Sequence, residues 1–324
     1  MRFLTTQVRK SVAPKDVNKR RRYRSTWMLM KRNYMLYLFL LPACLYIALF
    51  NYGPLYGIQI AFKNFTVGKG IAGSPWVGMR WFNMFFNSPR FFATLKNTVS
   101  LSLYSLLAGF PMPIILALII NNVMNTRFKR FAQTITYMPH FISTVVLVGM
   151  ISVFFSPRSG IINTLLSVLG GSGDTYFLGI PGYFAHIYVW TGVWQGAGWG
   201  SIIYIAALTG VSPELHESAM IDGATKLQRI WHIDLPTIMP TMVILLILNC
   251  GSIMNVGFEK VYLMQNPLNL SVSEVISTYT YKIGLEQFEY SYSTAIGLFN
   301  NIINFSVLVI VNFISGKVSG SSLW

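Results

Sequence analysis

Long apolar runs separated by short polar segments make up most of this chain. A helix needs roughly 20 residues, at about 1.5 Å per residue, to cross the hydrocarbon layer of a membrane. Six runs reach that length: 34–62, 97–121, 135–155, 183–208, 237–256 and 294–315. The pattern therefore predicts an all-α polytopic membrane protein with six transmembrane helices.

The polar segment between the fourth and fifth runs, 209–240, carries the densest helix punctuation in the chain. Residues 212–214 read Ser-Pro-Glu, which is an N-cap, a first-turn proline and an acid suited to the positive end of a helix dipole. Gly223 is the residue type that ends helices in the left-handed conformation. Thr225 and Gln228 have the spacing of a capping box, and behind them runs an apolar stripe of Leu227, Ile230, Trp231 and Ile233. We expect two short amphipathic helices joined by a glycine turn, lying at the membrane surface.

The spacing of particular residues in this segment resembles a known motif. The residues that carry the resemblance are Glu217, Ser218, Ala219, Asp222, Gly223, Leu235 and Pro236. This order resembles the EAA loop of ABC importer permeases, with Ser218 in place of the first alanine. The resemblance implies a type I ABC importer permease fold and a coupling loop at 209–236 that sits in a cleft of a cytoplasmic ATPase subunit. Caps and a glycine turn alone are also typical of a surface linker that contacts nothing.

Composition and charge support a membrane protein. Hydrophobic residues make up 53% of the chain and charged residues 11%, with a mean hydropathy of +0.50, whereas soluble domains carry roughly 25% charged residues. The net charge of +15 does not indicate nucleic acid, because 11 of the 25 Lys and Arg residues precede the first apolar run. Basic flanks mark the cytoplasmic side. We therefore expect a protein of the bacterial cytoplasmic (inner) membrane with both termini in the cytoplasm. The basic cluster 19–24 is either a contact for anionic lipid headgroups or a plain topology signal.

A second resemblance lies in the segment after the first run. The sequences VGMRWF at 77–82 and LKNT at 95–98 resemble the stretch that enters the permease core in carbohydrate-uptake ABC importers such as the maltose system. The basic N-terminus and the region 42–56 look most like the branch that imports oligosaccharides, including alginate and pectin fragments. That resemblance implies a second permease subunit in a heterodimer, two ATPase subunits and an extracytoplasmic substrate-binding protein. The same resemblance makes the segments 63–90 and 257–292 the expected docking surfaces for the binding protein, and the latter is long enough to hold a short helix near 273–282.

Polar and aromatic residues inside the predicted spans are the candidates for a substrate pathway. They are Trp190, Trp194, Gln195, Asn249, Ser252, Asn300 and Asn304. Tryptophans at helical spacing can stack on sugar rings, and amides can bind hydroxyls in a hydrated cavity. The alternative is that the amides are interhelical hydrogen bonds, worth on the order of 1 kcal/mol each. No Asp, Glu or His falls at a span centre, which disfavours a proton relay.

The sequence contains no catalytic or nucleotide-binding motif. It has no Walker A pattern, zinc motif or nucleophile elbow, so we expect ATP and Mg²⁺ to be bound by partner ATPase subunits, with no cofactor or metal in this chain. A six-span secondary transporter and a membrane-embedded enzyme are the alternatives. We divide the chain into a basic segment (1–33), a first helix (34–62), an extracytoplasmic loop (63–96), a permease core (97–316) and a cytoplasmic tail (317–324).

Overall fold

The computed structural model describes residues 28, 30–320, 322 and 323. The basic cluster predicted at 19–24 lies outside the described residues. The chain divides into two compact units, Met1–Gln59 and Ile60–Trp324. In the first unit, the side chains of Tyr34–Ile47 are all exposed.

The described regular structure is helical. Its α-helices are α1 Tyr34–Ile47, α2 Gly70–Gly73, α3 Arg80–Phe86, α4 Pro89–Gly109, α5 Pro111–Asn121, α6 Thr126–Tyr137, α7 Thr144–Phe154, α8 Ile161–Val168, α9 Pro181–Leu208, α10 Pro213–Ile221, α11 Lys226–Arg229, α12 Leu235–Cys250, α13 Phe258–Met264, α14 Leu270–Ser273, α15 Ile276–Tyr281 and α16 Tyr290–Ser319. A π-helical turn, Ala48–Tyr52, and a 3₁₀ segment, Gly53–Phe62, extend α1. The β-pairing found within the described ranges is one isolated antiparallel bridge, between Lys63 and Trp76. The predicted all-α class is confirmed.

Four helical stretches in the described part are long and apolar enough to cross a membrane. They are Tyr34–Phe62, Pro89–Asn121, Lys226–Cys250 and Tyr290–Lys317. A fifth is the bent pair formed by α6 and α7, if the pair is one span. Helix α9 has 28 residues, which is long enough at about 1.5 Å per residue, but its glycine, tryptophan and tyrosine residues lower its hydropathy. Six spans therefore stay a prediction.

The third predicted span is not one straight helix. Thr126–Phe141 and Thr144–Phe154 meet at an angle of 97°. The turn has a local cause, because Pro139 opens a 3₁₀ segment and Ser143 has extended backbone with its side chain accepting a hydrogen bond from Val146 N. An N-cap of this kind starts a new helix in a new direction.

Helix α9 lies at the centre of the second unit and packs against α4, α5, α6 and α12. A Cβ on Gly198 would collide with the backbone of Thr136 in α6, so this glycine allows close helix packing, as in other membrane bundles. At the C-terminal end of α9, Tyr204 and Leu208 form a buried cluster with residues of α5 and with Ile238 of α12. This cluster packs the end of α9 against the start of α12, and the segment 209–236 connects these two helix ends.

The LKNT motif ties α4 to the segment 257–292. The side chain of Asn97 donates to Ser271 O and Glu274 O, both at 3.0 Å. The hydroxyl of Thr98, which is fully buried, accepts from Ile276 N at 2.9 Å. The short helix predicted near 273–282 is present as α15, which continues into a π-helical turn, Lys282–Glu286.

Candidate functional site

The EAA-like loop, residues 209–236, is built as two arms around a glycine turn. Its first arm is α10, which begins with Pro213 after an extended Ser212. Gly223 has φ +77°. Gly223 N donates to Met220 O at 3.1 Å, and Ala224 N donates to Ala219 O at 2.8 Å. These two bonds form a Schellman motif, which satisfies the last carbonyl groups of the helix.

The second arm continues directly into the following long helix. Thr225 and Gln228 form the capping box that their spacing predicts, with Thr225 N donating to Gln228 Oε1 at 2.7 Å. A π-helical turn, Ile230–Asp234, then joins α11 to α12, so that Lys226–Cys250 is one helix. Pro236 follows this π-helical turn inside the long helix, where it has no N–H to donate to the helical ladder. The motif end Leu235-Pro236 therefore marks the point where the π-helical turn passes into α12.

A histidine and a buried aspartate connect the two arms. His216 Nε2 lies 3.2 Å from Asp234 Oδ1, and the Asp234 side chain is 1% exposed. The two atoms are close without hydrogen-bond alignment, since Asp234 Oδ1 has no hydrogen-bond partner in the described part of the chain. The contact places the middle of α10 against the start of α12.

The outward surface of the loop combines one acid with several apolar side chains. Glu217 is exposed and has no ion-pair partner among the described residues. Ile221 is 87% exposed, Leu227 65% and Trp231 62%. Of the predicted apolar stripe, Leu227 and Trp231 are exposed, whereas Ile230 and Ile233 are half-buried. A pocket of about 310 Å³ lies between the arms, and its lining includes Ala219, Asp222 and Gly223.

A second feature is a cavity of about 530 Å³ between α4, α9, α12 and the residues that follow α12. Its polar lining comprises Ser102, Ser105, Gln195, Asn249, Ser252, Asn255 and Lys260. Gln195 Nε2 donates to Ile142 O at 2.7 Å, and Asn249 Nδ2 donates to Leu245 O at 2.7 Å. Each of these amides thereby keeps its oxygen for another partner. The cavity offers both donors and acceptors in a volume typical of small-molecule sites, which span roughly 300–1,000 Å³.

The candidate pathway residues separate into three groups. Gln195, Asn249 and Ser252 line this cavity. Asn300 and Asn304 lie behind it, where both donate to Asn255 Oδ1 at 3.0 and 3.1 Å. Trp190 and Trp194 line a different, largely apolar pocket of about 530 Å³ against α7.

Sequence reasoning did not list several other lining residues as candidates, among them Lys260 and Ser102. By its sequence position Lys260 belongs to the segment 257–292, although it follows the predicted fifth span by only four residues. That short separation was the signal available in the sequence. Ser102 is 8% exposed, and its Oγ has no hydrogen-bond partner in the described chain.

As for metals, the described residues contain no group of three or more His, Cys, Asp and Glu placed to hold an ion.

Membrane-length helices, a polar cavity between them and a two-armed loop of the EAA type define a permease subunit of an importer. Residues 109–320 match the family model described as "Binding-protein-dependent transport system inner membrane component". The chain belongs to this family. The assignment decides against a secondary transporter and a membrane-embedded enzyme.

Relatives match nearly the whole chain. Protein LplB of Bacillus subtilis (strain 168) is 43% identical over 92% of this chain and 94% of its own length. The polygalacturonan/rhamnogalacturonan transport system permease protein YteP of the same strain is 41% identical over 94% of this chain and 95% of its own. A solved bacterial ABC transporter involved in import of the acidic polysaccharide alginate contains a chain that is 41% identical, with a TM-score of 0.85 over 91% of this chain and 99% of that one.

Proposed function

We propose that this chain is a pore-forming permease subunit of an ABC importer for oligosaccharides that contain acidic sugars. The observation that carries the proposal is the likeness, at 41% identity and TM-score 0.85, to a chain of the alginate importer. A second structure of that importer is a complex with an alginate pentasaccharide-bound periplasmic protein. The name of YteP points to another acidic polysaccharide.

The working complex contains a second permease chain, two ATPase subunits and an extracytoplasmic substrate-binding protein. ATP and Mg²⁺ bind in the ATPase subunits. The basic N-terminal segment supports an orientation with both termini in the cytoplasm, which puts the EAA-like loop on the ATPase side. The exposed Glu217, Ile221, Leu227 and Trp231 support a docked loop, because large apolar side chains grouped on a surface usually mark an interaction site.

Coupling runs along the helix that joins the loop to the cavity. Closure of the ATPase pair moves α10, and the contact between His216 and Asp234 carries this movement to the start of α12. The helix Lys226–Cys250 has 25 residues, or roughly 37 Å at 1.5 Å per residue. Asn249 lies at its far end and lines the cavity. The cavity, completed by the second permease chain, forms the sugar path, with Trp190 and Trp194 as stacking surfaces beside it.

Reconstitution tests this function. The chain is co-purified with its partner permease, ATPase and binding protein, and ATP hydrolysis and uptake are measured in proteoliposomes. Acidic oligosaccharides such as oligogalacturonates or alginate fragments are expected to stimulate both through the binding protein. The chain purified alone is expected to hydrolyse no ATP. Stimulation by a non-carbohydrate solute alone, or turnover by the isolated chain, would contradict the proposal.

A further inference from the structure

Lys260 of α13 is a buried cation at the wall of the cavity. Its side chain reaches the backbone of α9, where Nζ donates to Tyr188 O at 2.8 Å and lies 4.8 Å from the centroid of the Tyr188 ring. The residue is 8% exposed. Gly192 makes room for the ammonium group, because a Cβ at that position would lie 3.3 Å from Nζ.

No carboxylate neutralises this ammonium within the described residues. Two other cations, Arg90 in the first turn of α4 and Lys282 directly after α15, are paired with a carboxylate. Arg90 lies 3.1 Å from Glu274, and Lys282 lies 3.7 Å from the same side chain. A buried charge is usually paired, because its desolvation is otherwise uncompensated. Accordingly, burial lowers the pKa of Lys260 to about 8, so the charged form still predominates at pH 7.

The surroundings of Lys260 suit a ligand that carries hydroxyl groups as well as one negative charge. Lys260 is the only charged residue among the described cavity-lining residues, and the remaining polar lining consists of amides and hydroxyls. An ammonium group has three donors, and Tyr188 O takes one of them. The unpartnered hydroxyl of Ser102, in a side chain more than nine-tenths buried, lies in the same lining.

We propose that Lys260 binds the carboxylate of a uronic acid residue in the cavity and makes the permease itself select acidic over neutral saccharides. The proposal rests on the proposed function, in which the cavity belongs to the sugar path. It adds that selection does not reside only in the binding protein. Gly192 is the positioning residue, because its missing side chain lets the ammonium group stand at the cavity wall.

A purely structural role for Lys260 has a different signature. A lysine that only ties α13 to the Tyr188 carbonyl would be needed equally for every substrate. A carboxylate-binding lysine is needed for the acid and not for its methyl ester, which has the same size and hydroxyl groups. The comparison between these two substrates therefore separates the two roles.

The test uses the whole reconstituted complex with its own binding protein. Uptake of trigalacturonate and of its trimethyl ester is compared for the wild type, Lys260→Gln, Lys260→Arg and Gly192→Ala, with Lys96→Met as a control at an exposed lysine. We expect Lys260→Gln to lower the acid-to-ester uptake ratio at least about tenfold, since hydrogen bonds to charged groups contribute that much. Lys260→Arg should keep most of the ratio, Gly192→Ala should lower it less than Lys260→Gln, and Lys96→Met should leave it unchanged.

Three results would each overturn the proposal. The first is an unchanged ratio in Lys260→Gln, and the second is equal loss of both substrates in Lys260→Gln and Lys260→Arg. The third is a wild type without preference for the acid. Failure of the wild type to import either saccharide would instead contradict the proposed function.

A second measurement does not depend on a folded variant. Carbodiimide treatment during uptake should activate the saccharide carboxyl as an O-acylurea. Lys260 Nζ then displaces the urea and forms an amide, and mass spectrometry locates the product. A transporting complex with no label at Lys260 would also refute it.

Discussion

Gly223 offers the sharpest test of the EAA-like loop, because the structure separates backbone strain from steric collision there. Its φ is +77°, and a Cβ built on it would meet nothing within 4 Å. A substitution therefore acts only through the left-handed conformation, which L-residues with a Cβ disfavour by roughly 1–2 kcal/mol. Asparagine visits that region more readily than alanine, and β-branched valine least readily.

The expected order of damage is Gly223→Asn, then Gly223→Ala, then Gly223→Val. A cost of about 1–2 kcal/mol lowers the population of the native turn roughly 5- to 30-fold relative to the alternatives. The two Schellman bonds from Gly223 N and Ala224 N would then be lost, and the angle between α10 and α11 would change. Docking of the ATPase should weaken in the same order, while membrane insertion stays normal because the residue lies outside the apolar stretches.

The assay is co-purification of the ATPase through increasing salt, followed by binding-protein-stimulated ATP hydrolysis. Gly182→Ala is the matched control, since a Cβ there also meets nothing within 4 Å but the backbone has no positive φ. Equal damage from asparagine, alanine and valine would mean that a contact at Gly223, and not its conformation, matters. Wild-type uptake by correctly inserted Gly223→Val would refute the coupling role of the loop.

Three further predictions concern charges. Glu217→Gln should leave the complex assembled but weaken stimulated hydrolysis, because the proposed docking pairs Glu217 with a cationic group of the ATPase and breaking such a partly buried pair costs on the order of 3 kcal/mol. Unchanged hydrolysis would contradict a charged partner. His216→Ala and Asp234→Asn should each destabilise the purified complex by about 1–3 kcal/mol in denaturant titrations. The double mutant should differ from the sum of the two single effects by more than about 0.5 kcal/mol. Additive effects would show that the two side chains do not interact. The acid-to-ester uptake ratio should fall several-fold from pH 7 to pH 9, because the Lys260 charge is present below its lowered pKa of about 8 and is lost above it. Tyr188 is the titratable group facing that ammonium, and Lys260→Arg, which stays charged, should give a flat ratio.

Local chemistry made the EAA-like loop predictable from the sequence. A Schellman turn at Gly223 and a capping box at Thr225 and Gln228 each depend on residues within six positions of one another, so the residue types suffice. Ser212 shows the limit of this reasoning. It occupies the N-cap position of α10, but its side chain makes no capping hydrogen bond.

Apolar periodicity did not say what covers an apolar face. Leu227 and Trp231 follow the helical period of a buried stripe, yet both are more than 60% exposed. The same pattern arises when the cover is a partner chain and when it is the chain's own core. Only the packing of α12 against α5 and α9 decides which residues of the stripe are covered from within.

The cavity was less predictable because it depends on helix rotation and on breaks between helices. Asn249 and Asn300 are equivalent in the sequence, as uncharged amides inside apolar runs, but one lines the cavity and the other lies behind it. Lys260 enters the lining because the chain leaves the helical path after Cys250 and α13 returns toward α9. Hydropathy places Lys260 in the flanking segment, because hydropathy does not record such a return.

The long helix Lys226–Cys250 is held at both ends, which gives a physical account of how the loop could act on the cavity. At the loop end, the buried Asp234 faces His216 of α10. Beyond the other end, Met254 N donates to Asn304 Oδ1 at 2.8 Å, and Asn255 Oδ1 accepts from two asparagines of α16. Taken as one rigid body of about 37 Å, the helix moves its far end by roughly 3 Å, about one hydrogen-bond length, when it tilts by about 5° at the loop. A displacement of that size is enough to break the amide contacts of Asn255 and to move Asn249 relative to the cavity. The His216 and Asp234 variants test this account at the loop end, because loss of their contact should reduce transport without altering the cavity residues themselves.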